Sequence, residues 1–188
     1  TDFTDGTDSI GFDASLTFGG LTIEASGSDT VIKNGYTYLA TISGVAVSNI
    51  TAIDFQSTST DGLTLNGTSG DDVLIGGAGD DLLIGGQNAH ATGGYYVDTY
   101  VFSSGSGHDQ IVGFLVDGTG YSGEYYDRIE IVAGINGTDI ATSGDVLERI
   151  SANADGDAVI DLGDGNSVLL KDVSTSELQQ HHFNIVPN

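Results

Sequence analysis

Two nine-residue units stand back to back near the middle of the chain. Positions 67–75 read Gly-Thr-Ser-Gly-Asp-Asp-Val-Leu-Ile, positions 76–84 read Gly-Gly-Ala-Gly-Asp-Asp-Leu-Leu-Ile, and Gly85-Gly86 opens a third. A flexible Gly/Asp linker would not hold Val-Leu-Ile and Leu-Leu-Ile at one fixed phase. Glycines at alternate positions let the backbone reach φ > 0 and turn its carbonyl oxygens inward, which residues with a Cβ resist. The three residues after each Asp-Asp pair form a strand too short to persist alone, with Leu74 and Leu83 facing inward. Each turn becomes a partial cage of carbonyls beside one carboxylate, Asp72 or Asp81, and a stack of such cages needs a metal ion to hold it together. Calcium suits the cage, because it takes about six to eight hard oxygen ligands in a tolerant geometry.

The unit at 76–84 fits the nonapeptide G-G-x-G-x-D-x-U-x, and the unit at 67–75 departs from it only in Thr68. The stretch resembles the parallel β-roll of RTX, or hemolysin-type, secreted bacterial proteins. That resemblance implies two nonapeptides per turn of the coil, with an ion shared by loops two repeats apart. Carried over by position, the carbonyls of Thr68 and Gly70 with the carboxylate of Asp72 face the backbone of Gly85 and Gln87. Those of Gly77 and Gly79 with Asp81 face the next loop, around Gly94 to Asp98. Residues 87–92 lack the glycine and aspartate positions and are expected to contribute carbonyls only. Register returns at Asp98-Thr99-Tyr100-Val101-Phe102, which resembles the last strand of such arrays. Residues 104–112 form one more degenerate unit with Asp109 in the acidic position. About two or three ions are expected in all.

Charge points the same way. Lysine and arginine number 4 against 27 aspartates and glutamates, a formal net charge of −23. Such a chain repels itself unless cations neutralise it. With no basic face to release counterions, nucleic acid is not an expected partner. No apolar run approaches the ~20 residues of a membrane span, so membrane insertion is not expected either. The chain has no cysteine, which removes disulfides and thiolate sites and leaves metal to replace the covalent staple of an extracellular protein. No signal peptide shows at Thr1-Asp2-Phe3, which starts inside a recognisable pattern, so the chain reads as the C-terminal region of something larger.

Both flanks read as short strands with no sustained helical period. Leu21-Thr22-Ile23-Glu24-Ala25 alternates, and Thr30-Val31-Ile32 leads to Asn34-Gly35, a hairpin signal. Ala158-Val159-Ile160-Asp161-Leu162 runs likewise to Asp164-Gly165, and residues 166–170 return. Shifted by 128 positions, the first flank falls on the second without a gap: Asp29 on Asp157, Val31 on Val159, Gly35 on Gly163, Val45 on Val173, Phe55 on Phe183. The openings correspond as well, with Phe3, Asp8 and Ile10 parallel to Phe114, Asp127 and Ile129, and a tyrosine-bearing insertion in the second copy. This is an internal repeat.

The expected fold is therefore all-β. Residues 61–112 form a short calcium-binding parallel β-roll. Residues 113–188 form a C-terminal antiparallel cap with a secretion-signal-like tail, similar to the cap that follows the roll in type I secretion substrates. Residues 1–60 resemble the end of a preceding cap. A cap is required because the last coil exposes an edge that invites aggregation. Phe102, Ile111, Phe114, Ile129 and Ile131 are the candidates for the covering core.

Other constellations have plainer readings. His181-His182 could be half of a transition-metal site, but such a pair more often sits on a polar strand end, and His182 aligns with Asp54. Asp13, Asp54, Asp155, Asp157, Asp161 and Asp164 could supply a carboxylate pair for glycoside hydrolysis; nothing tunes one above another, and no catalytic residue is assigned. Tyr95, Tyr96, Tyr100, Tyr121, Tyr125 and Tyr126 either pack the junction between roll and cap or stack on sugar rings. The resemblance implies a non-catalytic, secreted calcium-binding module, recognised by a type I secretion machinery and folding on exposure to extracellular calcium. It is compatible with an attached enzyme. The alternative is an adhesin, surface-layer or polysaccharide-binding segment that uses the tyrosine-rich loops at a cell surface.

Overall fold

The computed structural model describes residues 3, 8–12, 16, 18–57, 59–86, 89–90, 94–120 and 123–187. The N-terminal part contains β1 (Ile10–Phe12), β2 (Leu21–Ser26), β3 (Asp29–Asn34), β4 (Thr37–Ile42) and β5 (Phe55–Ser57). Next come β6 (Thr64–Asn66), β7 (Val73–Ile75) and β8 (Leu82–Ile84), a hairpin of β9 (Ala89–His90) and β10 (Gly94–Tyr95), then β11 (Thr99–Phe102) and β12 (His108–Val112). A second hairpin, β13 (Gly118–Gly120) and β14 (Gly123–Tyr125), leads to β15 (Arg128–Val132) and the short helix α1 (Ser143–Leu147). The chain ends with β16 (Ile150–Ala152), β17 (Ala158–Gly163), β18 (Asn166–Leu170) and β19 (Phe183–Val186).

The nine-residue period folds as a coil, a parallel β-roll. Successive strands alternate between two sheets, one running β6-β8-β12-β18 and the other β7-β11-β15-β19, all parallel. Thr64 pairs with Leu82, eighteen residues on, so two nonapeptides make one turn. Later turns are longer, with Val73 opposite Thr99 and Thr99 opposite Arg128. The added residues carry the two hairpins outward, and the strand register is kept.

Alternation inside each three-residue strand decides what is buried. Leu74, Leu83, Tyr100, Ile111 and Ile129 point into the roll and join one cluster with Phe102, Phe114, Ile131, Val168 and Leu170, so all five candidates for the covering core are in it. Ile75 and Val101 point the other way and pack against Phe12, Ile32, Ile42, Ile50 and Phe55 of the N-terminal part. The β7-β11 sheet is thus covered on both faces, which explains a run such as Val73-Leu74-Ile75 without polar alternation.

The region after residue 112 differs from the expected antiparallel cap. Three of its strands extend the roll in parallel: β15 beside β11, β19 beside β15, and β18 beside β12. Antiparallel pairing in the extended sheets is limited to β16-β17-β18. The physical reason is that the last coil's free N–H and C=O groups are best satisfied by another strand in the same register, and only then by a hairpin that ends the sheet.

The 128-residue shift recurs element by element. It places β3 on β17, β4 on β18, β5 on β19, and the 3₁₀ turns Val47–Asn49 and Ala52–Asp54 on Thr175–Glu177 and Gln180–His182. Hydrogen bonds repeat too: Gly44 N donates to Asp29 Oδ1 at 2.8 Å, and Asp172 N to Asp157 Oδ1 at 2.9 Å. β1 pairs with β5 through Ile10 and Phe55, as β15 pairs with β19 through Ile129 and Phe183. The second hairpin turns at Asp164-Gly165 as its sequence predicts, both residues at positive φ. The first slips by one: Asn34 pairs with Thr37 and the turn is Gly35-Tyr36, with Gly35 at φ +57°. A Gly-first loop of this kind suits the strand twist as well as Asn-Gly does.

Leu83 is fully buried between the sheets. Leu83→Ala should lower stability by about 2–5 kcal/mol in saturating calcium, measured by denaturant unfolding, whereas Leu39→Ala on the exposed strand β4 should change it by less than about 0.5 kcal/mol.

Candidate metal centre

The turns between strands line two edges of the roll. Of the described residues, 67–72, 85–86, 97–98, 113–117 and 126–127 line one edge; residues 59–63, 76–81 and 103–107 line the other. Backbone meets backbone closely in these stacks. A Cβ on Gly86 (φ +102°) would stand 2.3 Å from the Thr68 carbonyl oxygen, and one on Gly107 (φ +91°) 2.3 Å from that of Gly79. Glycine at these positions is a condition of the carbonyl cradle, since any side chain would both clash and strain the backbone.

A ladder of carboxylates runs along each edge. On the first, Asp72 N donates to Asp98 Oδ1 at 3.0 Å and Asp98 N to Asp127 Oδ1 at 2.8 Å, while Leu115 N reaches Asp127 Oδ2 at 2.8 Å. Within the first nonapeptide, Thr68 N donates to Asp72 Oδ2 at 2.6 Å. On the second edge, Leu63 N donates to Asp81 Oδ1 at 2.7 Å, Asp81 N to Asp109 Oδ1 at 2.9 Å, and Gly107 N to Asn166 Oδ1 at 2.8 Å. Each rung ties one coil to the next.

Asp81, Asp98, Asp109 and Asp127 are buried and Asp72 is half-buried, with little positive charge nearby. Burial pushes Asp98 up to about 6 and Asp109 and Asp127 up to about 7, although the N–H donors pull the other way. Asp81 is raised by burial as well. The Tyr100 phenol is raised first by burial and then by the charges of Asp127, Asp98 and Asp72. The four basic residues are engaged elsewhere: Lys33 with Glu24, Arg149 with Asp139 and Asp161, Lys171 with Asp157 and Asp172, and Arg128 over the Tyr126 ring.

A hard cation fits this donor set. Asp81 Oδ2, Tyr100 Oη and Ser106 Oγ are buried without a hydrogen-bond partner, an arrangement that costs about 1–3 kcal/mol per group unless something binds there. The Asp81 and Asp98 Oδ2 atoms lie over Gly76 and Gly85, where a Cβ would come within 2.2 and 2.4 Å of them. Among the described residues no three His, Asp or Glu side chains converge. An ion here would therefore be held by backbone carbonyls with carboxylates added singly, which is calcium chemistry.

Thr68, Gly70 and Asp72 share an edge with Gly85, as their positions predict, while Gln87 lies outside the described residues. The partner expected for Gly77, Gly79 and Asp81 is corrected. Their turn does not face Gly94 to Asp98; it lies between Thr60-Asp61 on one side and Gly107-Asp109 on the other. Gly94 belongs to the outward hairpin, opposite His90, and Asp98 stands across from Asp72. Successive turns alternate edges, and lengthening a turn does not change the edge it occupies. Asp127 was missed as a ladder member, although its alignment with Asp8 marked it as a repeated position. Tyr100 and Ser106 carried no such signal.

The other candidates have structural occupations. His182 is buried, with Nδ1 accepting from Gln179 N at 3.0 Å and Nε2 against the Val116 carbonyl at 2.9 Å, so neither ring nitrogen is left for a metal. Asp54, its counterpart, accepts from Thr51 N at 2.7 Å in the same way. Tyr100 lies in the core, Tyr95 packs on Tyr125 at 6.0 Å between ring centres, and Tyr126 on His181 at 4.2 Å. Tyr121 and Asp13 lie outside the described residues.

Residues 64–89 match the family model described as RTX calcium-binding nonapeptide repeat (4 copies). Among solved structures, the extracellular lipase LipA from Serratia marcescens is similar at 19% identity and a TM-score of 0.39, over 96% of this chain and 33% of the lipase. The chain thus spans about a third of that protein. No curated protein sequence matches it.

The raised carboxyl groups set a pH dependence. With Asp98, Asp109 and Asp127 above the ordinary value of 3.8, the calcium-free fold holds protons that the unfolded chain has already lost between about pH 4 and 7. Its stability is greatest below that window and falls as pH rises through it. In chelator, circular dichroism should show more folded protein at pH 5 than at pH 8. Adding calcium near pH 7 should release protons, read with an indicator dye, and Asp127→Asn should reduce both effects.

Proposed function

Starting from RTX calcium-binding nonapeptide repeats at residues 64–89, which bind Ca2+, we propose that the chain is a calcium-gated folding module of a larger secreted protein. It crosses a type I secretion machinery unfolded and folds in extracellular calcium. The observation that supports this reading is the pair of carboxylate ladders, buried except at half-buried Asp72 and unmatched by any of the four basic side chains.

The residues of the chain divide the work. Thr68 and Gly70 carbonyls with Asp72 bind across from Gly85, and Gly77 and Gly79 carbonyls with Asp81 bind between the turns at 60–62 and 105–109. Asp98 and Asp109 lie one coil further on and hold the backbone N–H of Asp72 and Asp81 in place. Residues 61–112 are the calcium-binding roll, 113–188 its cap and export tail, and 1–60 the end of a preceding cap. Calcium supplies the missing positive charge. Where it is scarce, as inside a cell, the ladders repel and the short strands lack a reason to stay stacked. Outside, calcium at about 100 times a site's Kd stabilises the fold by about 2.7 kcal/mol per site. A few such sites are comparable with the whole stability of a domain, about 5–15 kcal/mol.

Circular dichroism at pH 7.5 should show a disordered chain in excess chelator and a β spectrum on adding millimolar calcium; an unchanged, folded spectrum in chelator would sink the reading. In calorimetric titrations Asp81→Ala should weaken calcium binding at least about tenfold, or about 1.4 kcal/mol, and more than Asp109→Ala does.

A further inference from the structure

One polar atom lies deep in an apolar column. In the β7-β11-β15-β19 sheet the inward residues Leu74, Tyr100, Ile129 and Phe183 stand opposite one another from strand to strand. Tyr100 is the only one of the four with a hydroxyl, and it is fully buried. Its ring packs on Phe114 with 5.9 Å between ring centres, a contact that phenylalanine would make equally well. Its Oη makes no hydrogen bond. As an inert core residue, this tyrosine would carry a buried, unpaired oxygen at a cost that phenylalanine avoids.

The oxygen is directed at the first edge of the roll. A Cβ on Gly85 would come within 2.4 Å of both Tyr100 Oη and Asp98 Oδ2, so the two oxygens converge over one point of the backbone. Over Gly76, which opens the preceding unit, the nearest atoms all belong to Asp81, and over Gly67 the nearest side-chain atom is Asp72 Oδ2. Only at Gly85 does a second side-chain oxygen stand among the nearest atoms of these three glycines. Asp98 Oδ1 is taken by Asp72 N at 3.0 Å, and Oδ2 is the oxygen on the Tyr100 side. Burial, and then the charges of Asp127, Asp98 and Asp72, raise the phenol, so it keeps its proton and offers a neutral oxygen among carboxylates.

We infer that Tyr100 supplies its phenolic oxygen to the calcium ion held at Gly85 and Asp98, as a ligand that the nonapeptide pattern does not contain. The inference rests on the calcium-roll reading above and adds a binding residue to it. Calcium's tolerance for about six to eight hard oxygens admits a neutral phenol beside carbonyls and a carboxylate. The two edges of the roll are then chemically unlike. The inward column of the other sheet, Leu65, Leu83, Ile111 and Leu170, is apolar throughout, so only the first edge has an ion that touches the core through an aromatic ring.

Tyr100→Phe keeps the ring and removes only the oxygen. In calorimetric titration of the 188-residue chain it should weaken one class of calcium sites by at least about tenfold and leave the others unchanged. Tb3+, a hard ion that takes the same oxygen ligands, should hold about one more water in the variant, counted from luminescence lifetimes in H2O and D2O. Without calcium at pH 5 the variant should melt no lower than the parent chain; with calcium at pH 7.5 it should melt lower. A parent chain that binds no calcium would remove the calcium reading and this inference with it. If the parent binds and the variant matches it, or binds more weakly with no added water, the phenolic ligand alone is overturned. A Tm lowered equally with and without calcium would also overturn it, because the hydroxyl would then serve the packing of the core.

Discussion

The hydrogen bond from one aspartate's N–H to the carboxylate of the next coil is the contact on which the roll depends. Strands of three residues have too few ladder bonds to hold a coil, and the rungs Asp72–Asp98–Asp127 and Asp81–Asp109 continue the pairing into the turns. The same groups carry the charge that burial penalises. A carboxylate that accepts two N–H donors, as Asp127 does, would ordinarily stay ionised at low pH, yet desolvation outweighs the donors and lifts it to about 7. The stitching and the repulsion therefore cannot be separated by evolution of the sequence at these positions. Protonation or a bound cation would relieve that repulsion, and calcium, the ion of the nonapeptide repeats, would do so at neutral pH without sacrificing the acceptor.

This arrangement explains why the coil tolerates such uneven turns. Register is fixed where strands and carboxylates meet, at residues 63–66, 72–75, 81–84, 98–102 and 109–112, and the chain between these points is free to leave and return. The β9–β10 and β13–β14 hairpins are such departures, and they pack on each other through Tyr95, Tyr125 and the close approach of Tyr95 to Gly118. Tyr95 and Tyr125 are thus accounted for by a junction of two excursions from one edge.

Much of the fold was legible because the strongest constraints are periodic. The Gly-Asp spacing revealed the coil, the phase of Leu74 and Leu83 revealed its interior, and the gapless 128-residue shift revealed the paired flanks. Adjacency across the coil was harder to read. Which turn faces which depends on counting strands, and the hairpin strands β9 and β10 look like register positions in sequence but stand outside the roll, which led the Asp81 turn to be matched with the wrong neighbour. Asp127 was hidden for a related reason: its turn is stretched by the tyrosine insertion, so no nonapeptide frames it. The parallel start of the cap was invisible because a parallel or an antiparallel strand at the end of a sheet has the same alternation.

The open edge of β4 raises a question of balance. An exposed strand with Tyr38 and Leu39 at its surface, and Tyr36 in the turn before it, is the kind of edge that draws other chains, and only Lys33, over the Tyr38 ring, places a basic side chain beside it among the described residues. What keeps copies apart in calcium-free solution is the net charge of −23, since like-charged molecules of this size repel strongly at low salt. On the reading proposed above, bound calcium would lower that net charge.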